Sequence, residues 1–210
     1  QRVETPVSHL GIWKAGAVTV PLTTLFGTDA LKYRLRDAGI RLLVVDASEL
    51  EKVRSVREDC PDLKRVLVVG DEASHPAEED YGTVVTESTG PVPELERSLS
   101  RSSALMYTSG STGPPKGVLH SFGIWLGRAA AAHNYFDQDF EDAVLWTPAD
   151  WAWGMALGGT LLAAWHHGCP IVSTPWSQFD PEAAFELMQR RNVTHASVPP
   201  TALRMMMQVD

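Results

Sequence analysis

The chain has 210 residues, 44% of them hydrophobic, with a formal net charge of −8 and two cysteines. That is enough apolar material for a sizeable core, and a charge of this sign excludes broad electrostatic attraction to nucleic acid or to an anionic membrane. Apolar runs are broken before membrane-spanning length, the first residues carry no export signal, and Cys60 and Cys169 lack metal-ligand spacing, so a cytoplasmic protein with reduced thiols and no membrane span is expected.

Short β-branched runs alternate with amphipathic stretches of helical length. The fold class read from this pattern is α/β, with layered, mostly parallel sheets flanked by helices. The run His9 to Gly16 reads as the middle of a helix, and Val18 to Pro21 as a strand. Thr28-Asp29 is suited to cap a helix whose Leu31 and Leu35 lie one turn apart and which Gly39 ends. A strand at Arg41 to Asp46 leads to a helix from about Ser48 to Glu58, with Pro61 beyond its end, and then to a strand at Arg65 to Gly70. The polar stretch of about 71–100, carrying Pro76, Pro91 and Pro93, reads as a surface excursion. Its acidic cluster, Gly70-Asp71-Glu72 through Glu78-Glu79-Asp80, reads as a solvated loop without a functional role.

Further strands are expected at Ala104 to Tyr107, Ala143 to Thr147, Pro170 to Ser173 and Thr194 to Val198. Helices are expected at Ser121 to His133, Met155 to His166, Asp180 to Arg191 and from Pro200 onward, and Pro181 suits a first helical position. His166, His167 and Cys169 sit close together but have no second ligand cluster, so a helix-end turn is the reading and no metal ligand is assigned.

The most informative run is Tyr107-Thr108-Ser109-Gly110-Ser111-Thr112-Gly113-Pro114-Pro115-Lys116-Gly117, directly after a predicted strand. Glycines let backbone N–H groups approach an anion, hydroxyls donate hydrogen bonds and the lysine adds a mobile positive charge, so the composition suits a polyphosphate. It is not a Walker-type loop: Pro115 stands where a glycine precedes the lysine, and Gly117 where a Mg²⁺-binding Ser or Thr would follow.

The run resembles the phosphate loop of the adenylate-forming superfamily, which comprises acyl-CoA synthetases, luciferase-like enzymes and peptide-synthetase adenylation domains. The resemblance extends through Leu10 to Leu22, Thr147-Pro148-Ala149-Asp150-Trp151-Ala152-Trp153-Gly154, Gly168 to Val172, Phe179-Asp180-Pro181 and Val198 to Leu203, in order. The Ala149-Asp150-Trp151-Ala152-Trp153-Gly154 run is similar to short- and medium-chain AMP-forming acyl-CoA synthetases.

The resemblance implies that a small-molecule carboxylate attacks ATP, with Mg²⁺ bridging phosphates, and that CoA then displaces AMP from the acyl-adenylate. It implies phosphate binding by Thr108, Ser109, Gly110, Ser111, Thr112, Gly113 and Lys116, and a possible acyl pocket at Trp151, Trp153, Gly154 and Met155; His120 is either a group near the nucleotide or a structural histidine. Residues 1–210 would then be part of an AMP-binding N-terminal domain, inactive alone, with the C-terminal domain and catalytic lysine elsewhere. A carrier-loading adenylation domain and a non-catalytic α/β module are the alternatives. Self-association of the stretch is a further expectation, through uncovered sheet edges.

Overall fold

The computed structural model describes residues 1–70, 76–96, 98–109, 113–136, 140–174, 176 and 178–209, leaving aside the side chains of residues 133 and 135. Helix α1 (Glu4–Lys14) buries His9 and Trp13, one turn apart on one face. Helix α2 (Thr28–Asp37) follows, then β1 (Leu42–Asp46), α3 (Leu50–Val56) between short 3-10 turns, and β2 (Arg65–Val69). The cap residue of α2 is Gly27 and makes no side-chain hydrogen bond, so the expected Thr28-Asp29 cap is replaced: both residues already lie within the first turn.

Strands β1, β2 and β3 (Glu78–Asp80) form a parallel sheet in that order. Val66 and Val68 of β2 enter the core with Leu31, Leu35 and Val53, while Leu67 and Val69 pack with Tyr81. The strand is thus covered on both faces, which is why it reads as a continuous apolar run. The expected solvated acidic loop is corrected over its described part. Glu78–Asp80 is the third strand, and Asp80 accepts a hydrogen bond from Thr83 N–H (2.6 Å) to cap helix α4 (Tyr81–Glu87). The Glu78 side chain is 1% exposed and meets Arg54 of α3 through two contacts of 3.0 and 2.7 Å. Residues 71–75 of the cluster lie outside the described residues.

A second sheet is an antiparallel hairpin of β4 (Ser102–Thr108) and β5 (Lys116–Ser121), in which Thr108 is paired with Lys116 and Tyr107 with Gly117. Sequence reading expects no strand at Lys116–Ser121, whose residues alternate weakly between apolar and polar. The expected strand Val18 to Pro21 is reduced to a single parallel bridge, Thr19 with Ala104. Helix α5 (Gly123–Phe136) follows the hairpin.

The third sheet, ordered β7-β6-β8, is parallel: β6 (Leu145–Trp146) lies between β7 (Ile171–Val172) and β8 (His195–Ala196). Leu145 packs towards Ala132, Ala163 and Ala164, and Trp146 towards Ala184, Leu187 and Met206. The expected helix from Met155 is present as α6 (Gly154–Ala156), a π-helical segment Leu157–Leu161 and α7 (Leu162–His167), closed by Gly168 at φ 70°. Helix α8 (Pro181–Arg190) is capped by the Asp180 side chain, which accepts from Ala183 N–H (3.1 Å), and α9 (Pro200–Met206) ends the described chain.

Arg54→Met should lower the thermal unfolding midpoint more than Arg65→Met does. The first removes the bidentate partner of a buried carboxylate, the second a partner of Glu79, which is 38% exposed. Parallel melting curves of the two variants check this order.

Candidate functional site

The loop candidate joins the two strands of the β4–β5 hairpin, so its roots are held side by side by the ladder. Thr108, Ser109, Gly113 and Lys116 are exposed, with Thr108 ending β4 and Lys116 opening β5. Gly110, Ser111 and Thr112 lie outside the described residues. Gly113 has φ 82°, a left-handed conformation that suits glycine. At Gly117 a Cβ would lie 2.9 Å from Leu105 Cδ1, so a side chain there would force the Leu105 end to move.

Helix α2 grips both roots. Tyr33 Oη–H donates to Pro115 O (2.9 Å) on one side of the loop, and Tyr107 Oη–H donates to Asp37 Oδ2 (2.6 Å) on the other. Between them the Arg34 guanidinium lies 3.8 Å from the centre of the Phe26 ring and 5.3 Å from that of Tyr107. Such cation–π contacts contribute about 0.5–2 kcal/mol each. Arg34 is buried and donates Nη1–H to Ala30 O (2.7 Å). Burial lowers its pKa from the ordinary value, and burial followed by the hydrogen bond to Asp37 pushes the Tyr107 phenol upward.

Sequence reading missed Tyr33, Arg34 and Asp37. The available signal was Arg34, which falls three residues after Leu31 on the apolar face of α2, where a cation needs a special environment.

The hairpin separates two cavities. Ala104, Met106 and His120 line one of about 100 Å³, whereas Leu105 and Leu119 line a larger cleft of about 990 Å³ on the other side. The alternation follows the period of two along a strand.

The four expected acyl-pocket residues separate. Gly154 lines the smaller cavity, and Trp151 is buried with Ala156, Leu157 and Leu161 and lines the larger cleft. Trp153 and Met155 are exposed and line neither. Asp150 ties this segment to the chain after α1, accepting from Thr23 Oγ1–H and from Ala152 N–H (2.9 Å). His120 lies in the hairpin, where its carbonyl accepts from Ser103 Oγ–H (3.2 Å). Among the described residues no group of three or more His, Cys, Asp or Glu is placed to hold a metal ion.

His9 lies against the aromatic wall behind the hairpin, its ring 5.4 Å from Trp13 and 6.0 Å from Trp165. Burial lowers its pKa to about 4.

The AMP-binding enzyme family profile matches residues 1–210. The chain belongs to the AMP-binding enzyme family. Within that family it is 28% identical over 199 residues to the mouse mitochondrial acyl-coenzyme A synthetase ACSM1, covering 95% of this chain and 35% of the relative. It is 29% identical over 220 residues to the acetyl-coenzyme A synthetase of Alkalilimnicola ehrlichii, covering 97% and 34%. The acyl-CoA synthetase of Brucella canis superposes with a TM-score of 0.83 at 26% identity, over 97% of this chain and 36% of that one. The α/β fold with helix-flanked, mostly parallel sheets is therefore that of an AMP-binding enzyme. The chain spans about a third of the length of these relatives. No helix among the described residues is long and apolar enough to cross a membrane.

Two predictions follow from this geometry. Tyr33→Phe should cost about 1 kcal/mol in chemical denaturation, the worth of one hydrogen bond, and should quicken proteolytic cleavage within 109–115 while leaving cleavage elsewhere unchanged. For His9, the folded pKa lies below the unfolded value of 6.5, so its contribution is complete above pH 6.5 and lost as pH falls towards about 4. The loss should be on the order of 3 kcal/mol, and His9→Leu should remove that part of the pH dependence in denaturant titrations at stepped pH.

Proposed function

We propose that this stretch is the phosphate- and acid-binding part of an ATP-dependent acid–thiol ligase, an AMP-forming acyl-CoA synthetase. The observation that carries the reading is the Ser/Thr/Gly loop with Lys116 at its exit, clamped at both roots by α2, in a chain matched by the family along its whole length. The first step joins a carboxylate oxygen to the α-phosphorus of ATP and releases pyrophosphate. Thr108, Ser109, Gly110, Ser111, Thr112, Gly113 and Lys116 would hold the β- and γ-phosphates as charge accumulates on the leaving group. In the second step the CoA thiol attacks the acyl carbonyl and AMP departs.

Mg²⁺ would screen the phosphate oxygens. The loop offers it hydroxyls, and the described residues provide no carboxylate cage for it. The acyl group would lie near Gly154 and Trp151, with Trp153 and Met155 at the exposed edge. The substrate is a short- or medium-chain or aryl carboxylate, and the two names of relatives that include acyl- and acetyl-coenzyme A synthetase support that class. Residues 1–210 belong to one AMP-binding domain, and alone they are inactive because the stretch has about a third of its relatives' length. A cytoplasmic setting completes the reading, consistent with the free thiols Cys60 and Cys169.

The test is pyrophosphate release from ATP with two- to ten-carbon and aromatic carboxylates. It compares the product of the whole reading frame, the 210-residue chain and a Lys116→Ala variant. Acid-dependent release by the first, none by the second and a loss on the order of 10²-fold in the variant are expected. No release with any acid from a folded whole product would contradict the assignment.

A further inference from the structure

The cavity of about 100 Å³ lies between the hairpin, α5 and the π-helical segment. Its walls are mainly apolar: Ala104 and Met106 from β4, Trp125 from α5, Leu157 from the π-helical segment, and Trp13 from α1. One end is open at Gly154, an exposed residue where a Cβ would come 3.6 Å from Met106 Cε. The other is closed by aromatic rings. Trp13 is 7% exposed and lies 5.2 Å from Trp125 and 6.1 Å from Trp165, centre to centre. Its indole N–H donates to Ser103 O (2.7 Å), which fixes the ring in place. The closed end is therefore built of side chains that have little room to turn away.

The open end faces along β4 towards the phosphate loop. Met106 stands two residues, about 7 Å of strand, before Thr108. A molecule with an apolar tail in the cavity would thus direct its polar head towards the loop. The capacity is small: an apolar protein cavity of about 150 Å³ takes the six carbons of benzene, so one of this size takes about four.

We infer that this cavity is a tail pocket for short aliphatic acids, holding about four carbons beyond the carboxylate, with Trp125 and Trp13 as the floor that excludes longer chains. The inference rests on the acid-activating reading above and narrows its substrate class. Each methylene that enters the pocket should tighten binding about fourfold, and methylenes beyond the floor should add nothing.

The size limit is testable without turnover. The 210-residue chain is titrated with straight-chain alkanols from ethanol to 1-octanol, followed by indole fluorescence against a free tryptophan amide control. Affinity should rise about fourfold per carbon to about butanol and then level or fall. Trp125→Ala should move that break outward by two or more carbons. Should that variant not fold, Gly154→Val, which narrows the open end at a position with ordinary backbone angles, should move the break inward. Affinity that keeps rising through octanol in the unaltered chain overturns the size limit, and an unmoved break in a folded Trp125→Ala chain overturns the floor. The same acids are offered to the whole product in the pyrophosphate assay. A break at four carbons in both assays supports the inference. A break in the alkanol series together with release that favours eight-carbon acids overturns the pocket's role in selection and leaves the ligase reading intact. A break with no release at all keeps the apolar site and removes the ligase reading on which the acid assignment rests.

Discussion

The grip of α2 on both roots of the β4–β5 hairpin is the constraint on which the site depends. A loop of glycine, serine and threonine has high conformational entropy and adopts one geometry only where its ends are over-determined. The strand ladder fixes the spacing of Thr108 and Lys116, but alone it leaves the hairpin free to pivot. The bonds from Tyr33 to Pro115 and from Tyr107 to Asp37, with Arg34 between aromatic rings, remove that freedom. They also join the hairpin to the β1-β2-β3 sheet, because Leu31 and Leu35 on the same helix are part of that sheet's core.

The hairpin in turn organises the space around it. With alternate residues directed to opposite faces, Ala104 and Met106 look towards α5 and the π-helical segment, while Leu105 and Leu119 look into the larger cleft. The π-helical turn at Leu157–Leu161 is part of the same arrangement. Its Gly158 leaves room for the Arg128 side chain, whose Nε would lie 3.4 Å from a Cβ at that position. Wider helical turns of this kind are frequent at functional sites, and here the turn supplies one wall of the smaller cavity.

Much of this was legible in the chain itself. The β1, β2 and β6 strands are apolar runs buried on both sides, and Asp180-Pro181 states the start of α8 in its own chemistry. The phosphate loop could be located from residue types alone. What could not be read depends on partners distant in sequence. Glu78 looks like one acid among many until Arg54, 24 residues earlier, closes on it. Lys116–Ser121 is a weak strand pattern that exists because β4 pairs with it. Tyr33 and Asp37 reach residues 82 and 70 positions away, a relation that no periodicity within α2 encodes. The strand expected at Val18 to Pro21 shows the reverse case, where suitable residues find a pairing partner only at Thr19.

The most direct measurement is an isotope-edited NMR titration of the chain with inorganic pyrophosphate, reading the backbone amides and the Lys116 ammonium. The account predicts saturable shifts concentrated in residues 108–117 and transmitted to Tyr33 and Asp37, with the three sheets' remaining amides unmoved. Saturable shifts elsewhere, with residues 108–117 silent, would show that the clamped hairpin is not the anion site.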